Sequence, residues 1–170
     1  MDFVEDVRNG AIFIYPTDTI YGLGCDATNE GSVALIRNIK YKDGDKPMSI
    51  IAPSKDWVLE HCVVEEDILD KYLPGPYTLI LKKKDSNFLG HVSSNDCLGI
   101  RIPDCEFANI VSKAEVPFIT ISVNFLGEPF AVKISDIPSD ILDKANVVIG
   151  VGTLDGRPST IFVDGKELER

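Results

Sequence analysis

The stretch Ile12 to Ala27, IFIYPTDTIYGLGCDA, constrains this chain more than any other. Ile12, Phe13, Ile14 and Tyr15 form a short unbroken apolar run, which predicts a buried strand. Pro16 ends it, because proline has no amide hydrogen to give to a central ladder. Two hydroxyls, Thr17 and Thr19, then stand around Asp18, followed by Tyr21 and the glycines Gly22 and Gly24. This set directly after a buried strand suits polar recognition at a sheet edge, where glycines let backbone and ligand approach closely. It also fits an ordinary strand-to-loop turn in which Thr and Asp satisfy local amides. Spacing alone favours the turn, so the rest of the chain has to decide.

The remaining residues alternate between helical and strand patterns. Phe3, Val4 and Val7 predict a short opening helix that closes at Asn9-Gly10. Thr28 or Asn29 caps a helix whose apolar residues Val33, Ile36 and Ile39 fall on one face. Lys40, Tyr41 and Lys42 come at its C-terminal end, where cations complement the helix dipole. Asp43-Gly44-Asp45 breaks that helix, and Lys46-Pro47 leads into a strand over Met48 to Ala52. Short helices are expected at Asp56 to His61 and Glu65 to Tyr72, then a stiff Pro74-Gly75-Pro76 turn and a strand from Tyr77 to Leu81. Lys82 to Asp96 is polar and reads as a loop or mobile flap.

Leu98 to Ile102 is a short strand that contains Arg101. A charge in so apolar a strand needs an anion or a carboxylate for company, unless it faces solvent. A helix over Phe107 to Ala114 and a strand over Val116 to Ile121 follow, the strand ending in Ser122-Val123-Asn124. Gly127-Glu128-Pro129 makes a turn, Lys133 to Ala145 holds short helical pieces, and Val147 to Ile149 is a buried strand. Gly150, Gly152 and Gly156 surround a turn before Pro158-Ser159-Thr160 opens a last strand, Thr160 to Val163. Interleaved strands and helices without repeats predict one α/β domain over residues 1–170, with a mixed parallel and antiparallel sheet.

Charge and composition bound what such a domain does. The net charge of −10 is the wrong sign for a surface that coats nucleic acid, but leaves a local basic pocket for a small anion open. Lys40, Lys42 and Lys46 form one basic cluster and Lys82, Lys83 and Lys84 another; a solvated face is the usual meaning of such runs. Cys25, Cys62, Cys97 and Cys105 lack CxxC spacing, which argues against zinc and for free thiols. No apolar run is long enough to span a bilayer and no signal-peptide pattern opens the chain, so a cytoplasmic protein is expected.

Several strands share one grammar, an apolar run with Ser, Thr or Asn at its end. Thr17 and Thr19, Ser122 and Asn124, and Ser159 all sit at such positions. If those ends converge, they form a hydroxyl-rich hollow that Lys40, Lys42, Lys46 and Arg101 could make positive, suited to nucleotide phosphates. GxxxxGK[ST], GxGxxG and GxSxG are all missing, which excludes P-loop chemistry by pattern and argues against a serine hydrolase.

Six segments in order, YPTDTIYGLGCDA, NIKYKDGDKPMSII, PGPYT, LGIRIP, ITISVN and RPSTI, resemble the YrdC/Sua5/TsaC family of threonylcarbamoyl-adenylate synthases. The likeness runs from about Ile12 to the end of the chain and is similar to the short, single-domain form. It implies a twisted mixed sheet around a positive cavity. It also implies a reaction that joins L-threonine, bicarbonate or CO2 and ATP, with Mg2+, into threonylcarbamoyl-AMP and pyrophosphate. The product would pass to the machinery for t6A modification of tRNA.

Residue by residue, the resemblance assigns L-threonine to Thr17, Thr19, Arg101 and Ser159, with Arg101 on the carboxylate. It assigns ATP to Lys42, Lys46, Cys97, Thr120, Ser122, Asn124 and Arg170, and catalytic roles to Lys40, Lys42 and Arg101, with no metal held by the protein. Three positions depart from the family pattern. Lys42 stands where arginine is usual and loses the bidentate fork for phosphate, Val123 replaces a small residue, and Ile51 replaces a histidine of longer members. The second reading is therefore a drifted relative that binds nucleotide or double-stranded RNA without making the product. A third, a carbamoyl-adenylate domain of a hydrogenase-maturation protein, lacks the companion segments it would need.

Overall fold

The computed structural model describes residues 1–42 and 44–170. Asp43, counted above among the residues that break the second helix, lies outside the described residues. The elements are α1 (Phe3–Arg8), β1 (Phe13–Tyr15), β2 (Gly22–Gly24), α2 (Glu30–Tyr41), β3 (Ser49–Ile51), α3 (Lys55–His61), β4 (Cys62–Val63), α4 (Glu66–Tyr72) and β5 (Tyr77–Lys83). They continue with β6 (Cys97–Arg101), α5 (Glu106–Ala114), β7 (Phe118–Ser122), a 3-10 turn at Ile134–Asp136, α6 (Ser139–Leu142), β8 (Val147–Val148), β9 (Thr160–Val163) and β10 (Lys166–Leu168). Among the described residues no helix is long and apolar enough to cross a membrane.

The strands form one mixed sheet in the order β10-β9-β5-β6-β3-β7-β2-β1-β8, with β4 paired beside β5. Parallel pairs are β1/β8, β3/β6 and β5/β9, and the rest are antiparallel. The apolar run at the start of the chain is buried on both sides of this sheet. Ile12 and Ile14 face the core that holds Val33, Ile36 and Ile39 of α2, while Phe13 and Tyr15 face the core of Val7, Phe107, Val111 and Phe118 under α1 and α5. Successive side chains of a strand point to opposite faces, so a strand covered on both sides reads as continuous apolar sequence.

The helix ends follow the capping chemistry. Asp2 accepts from the Val4 and Glu5 amides at the start of α1. Of the two candidate caps for α2 it is Asn29 that serves, its Oδ1 accepting from the Ser32 amide. Lys42 closes α2 in the left-handed region at φ 45°.

Three expectations need correction. Residues 16–27 are not all loop: Gly22–Gly24 is a strand, and its glycines serve packing. A Cβ on Gly24 would come within 1.8 Å of the Ile119 carbonyl oxygen, and one on Gly22 within 2.7 Å of the Tyr15 ring. Gly22 and Gly24 pair with Tyr15 and Phe13; the Tyr15 ring fills the space at Gly22, and the Phe118 ring and Ile119 carbonyl fill that at Gly24. Lys82–Asp96 is not a free flap, because β5 extends through Lys83 and the following loop is rooted in the core by buried Leu89 and Val92. Lys83 itself is buried and donates to the carbonyls of Phe88 and Ser93. Finally, β9 is not the last strand, since β10 pairs antiparallel with it.

Candidate functional site

The loop after β1, the inner ends of β6 and β7, the start of β5 and the approach to β9 enclose one cavity of about 150 Å³. Thr17, Thr19, Arg101, Thr120, Ser122, Ser159 and Arg170 line it, so seven of the residues singled out in the sequence meet there. The wall also contains Tyr41, Thr78 and Phe130, which sequence reasoning did not assign to the site.

The hydroxyl chain on one wall has a definite direction. Thr17 Oγ1 donates to the Ile20 carbonyl at 2.7 Å, lies 2.9 Å from Thr19 Oγ1 and accepts from the Thr19 amide at 3.1 Å. A hydroxyl has one proton. Since Thr17 spends its proton on Ile20, the Thr19 hydroxyl donates to Thr17. Thr19 then turns lone pairs outward, and Arg101 Nη1 is 3.4 Å from that oxygen. A ligand group met by Thr19 must therefore be a donor.

Arg101 ends β6 almost fully buried, and the carboxylate that its sequence setting demanded is Asp18. Nη2 lies 2.6 Å from Asp18 Oδ1, while Asp18 Oδ2 accepts from the Asp104 amide at 3.0 Å. Arg101 Nε is buried and has no hydrogen-bond partner among the described residues. Across the cavity Arg170 donates from Nε to the Ser159 carbonyl at 3.1 Å and from Nη2 to the Ser159 hydroxyl, which is 2.7 Å from Thr78 Oγ1. Burial, and then the positive charge of Arg101, push the Arg170 pKa down. The hollow thus combines two guanidiniums with several hydroxyls, and the Asp18 carboxylate holds Arg101 from the adjoining groove.

Lys40 is brought beside this cavity but does not line it. Its Nζ is enclosed by four oxygens: Ser122 O at 2.8 Å, Ser122 Oγ at 3.0 Å, Asn124 O at 2.7 Å and Asn124 Oδ1 at 2.5 Å. Asn124 Nδ2 in turn donates to the Glu128 carbonyl at 2.7 Å. Burial pushes the Lys40 pKa down to about 8. This amine fixes the end of β7, where Ser122 enters the cavity wall.

Lys42 is exposed and lines a separate, shallower groove with Phe125, Leu126 and Lys144. Tyr41 borders both hollows. Lys46 is exposed, its main-chain carbonyl accepting from Arg37 at 2.7 Å. Cys97 starts β6 half-buried, its amide bound to Asn95 Oδ1 at 2.8 Å, away from the cavity wall. Val123, just past the end of β7, is fully buried, and Ile51 at the end of β3 packs under α5.

The model of the Sua5/YciO/YrdC family, described as "Telomere recombination", matches residues 5–167. A "Putative threonylcarbamoyl-AMP synthase" of Methanocaldococcus jannaschii is 37% identical over 162 residues, 93% of this chain and 76% of that protein. The crystal structure of Pyrococcus abyssi Sua5 complexed with L-threonine superposes with a TM-score of 0.79 at 28% identity, covering 93% of this chain and 48% of that one. A solution structure of a Methanobacterium thermoautotrophicum protein is 31% identical with a TM-score of 0.74, covering 98% of this chain and 83% of that one. This chain therefore spans about half of the Pyrococcus protein and most of the other two. On the family match over nearly its whole length, the chain belongs to the Sua5/YciO/YrdC family.

Proposed function

We propose that this chain makes L-threonylcarbamoyl-AMP from L-threonine, bicarbonate and MgATP, releasing pyrophosphate, and that the product serves t6A modification of tRNA. The observation that carries this reading is the meeting of Arg101 and Thr19, 3.4 Å apart on one cavity wall. A fixed cation beside a fixed lone pair matches the carboxylate and the donor groups of an α-amino acid. The Pyrococcus relative with L-threonine bound supplies the identity of that amino acid.

In this reading the threonine carboxylate takes the free donors of Arg101, and its amine or hydroxyl donates to Thr19. The ammonium gives one proton to solvent, and the free amine attacks the carbon of bicarbonate, or of CO2 with loss of a second proton to solvent. With bicarbonate, water leaves and a carbamate remains. A carbamate oxygen then bonds to the α-phosphorus of ATP, the bond from that phosphorus to the bridging oxygen breaks, and the electron pair departs on pyrophosphate. No side chain needs to form a bond. The contribution of the protein is to hold the reactants in line and to place the Arg170 charge and the Ser122 hydroxyl near the phosphates. The magnesium ion arrives as part of MgATP and shields the leaving charge.

The test is pyrophosphate release from MgATP with and without L-threonine and bicarbonate. Release that requires both is expected. ATP binding without release would instead make the chain a nucleotide-binding relative, with Lys42 the first position to revert to arginine.

A further inference from the structure

The Arg101–Asp18 pair is more than a buried contact. The two side chains are 7% and 12% exposed; Arg101 lines the cavity, while Asp18 lines the adjoining groove with Thr19 and Arg170. Asp18 is itself held, because its second oxygen takes the Asp104 amide, the first N–H after Pro103. One side of the guanidinium is thereby fixed through Nη2, while Nε stays buried without a partner among the described residues. A buried N–H without an acceptor costs free energy unless something supplies one.

We infer that Asp18 is the positioning residue of the amino-acid site: anchored by the Asp104 amide, it sets the Arg101 guanidinium so that the face it turns to the cavity meets an incoming α-carboxylate. The inference rests on the amino-acid reading given above. Without the Asp18 charge, Arg101 and Arg170 would share the cavity uncompensated; burial first, and then the Arg101 charge, already push the Arg170 pKa down. Repulsion would then turn Arg101 away from the pose that the carboxylate needs. Asp18 makes no contact of its own with the substrate in this scheme.

The experiment compares equilibrium binding of L-threonine and L-threoninamide, which lacks the carboxylate charge, to the full chain and to Asp18→Asn and Asp18→Glu. Threonine affinity is expected to fall about tenfold in Asp18→Asn, the size of a lost charged hydrogen bond. Threoninamide and MgATP affinities stay unchanged, so discrimination between threonine and its amide narrows. Asp18→Glu, which keeps the charge, restores part of it.

Equal loss for threonine and threoninamide would reduce Asp18 to a structural role and overturn the inference. Tighter threonine binding in Asp18→Asn would also overturn it, by showing that Asp18 competes with the substrate. If Asp18→Asn fails to fold, Asp18→Glu alone decides through the same ratio. A native chain that binds MgATP but not threonine would overturn the amino-acid reading itself, and this inference with it.

Discussion

Lys40 Nζ lies 2.5 Å from Asn124 Oδ1 and 2.7 Å from the Asn124 carbonyl oxygen, so one amine holds both ends of a single residue. Lys40 closes the last turn of α2 and Asn124 follows the end of β7. The contact locks the helix to the strand edge that carries Ser122 and Thr120 into the cavity wall.

Replacing Lys40 by methionine keeps the alkyl stem and removes the donor. The buried oxygens of Ser122 and Asn124 then lose their partner, at about 1–3 kcal/mol for each group left unsatisfied. Lys40→Met is expected to lose about 3 kcal/mol of stability by urea denaturation, with pyrophosphate release falling alongside. A loss under about 1 kcal/mol would mean that water replaces the amine without cost.

The same amine makes stability depend on alkaline pH. Burial lowers its pKa from 10.5 to about 8, so the unfolded chain holds the proton more tightly than the folded one. Stability therefore rises with pH across the window between these two values and is flat from this group below it. Relative to Lys40→Met, the native chain is expected to gain stability between pH 8 and pH 10. A difference that stays constant or shrinks would show that the oxygen cage, not burial, sets the titration.

Gly24 marks the closest approach in the sheet. An added methyl would lie 1.8 Å from the Ile119 carbonyl and 2.6 Å from the Phe118 ring, neither of which can yield without moving β7. Gly24→Ala is expected to cost more than about 3 kcal/mol, or to prevent folding, as overpacking against backbone does. Gly127, at φ 86° with open space around it, provides the control. Gly127→Ala should cost only about 1 kcal/mol, from backbone strain alone. Thermal unfolding of the two variants separates steric from conformational cost.

Much of this was legible in the residues, and the failures have physical causes. Apolar periodicity located α2, α5 and the central strands, and Arg101 in its apolar strand announced a buried counter-charge. It did not say which carboxylate, because Asp18 is 83 residues away and only the sheet order brings it near. β2 was hidden because glycines carry no hydrophobic signal, although the aromatic rings opposite them do. The lysines at 82–84 read as one solvated run, whereas strand alternation points Lys82 and Lys84 outward and Lys83 into the core. Tyr41, Thr78 and Phe130 gave no polar-cluster signal, so the cavity wall needed the fold to assemble it.

Substitutions at Lys42 are expected to set stability against MgATP binding. It sits at φ 45°, a left-handed conformation that costs a β-carbon residue about 1 kcal/mol and costs glycine little. Its side chain is exposed, on the rim of the groove next to Tyr41. Among the described residues nothing in packing asks for a lysine there, and a ligand phosphate is the partner proposed for its charge. Lys42→Gly is expected to raise stability by up to about 1 kcal/mol while weakening MgATP binding. Lys42→Arg keeps the strain, restores a bidentate fork and should strengthen MgATP binding over the native chain. If Lys42→Gly is more stable and binds MgATP as tightly as the native chain, the nucleotide phosphates do not reach this groove. The ATP site would then be confined to the cavity between Arg170 and Ser122.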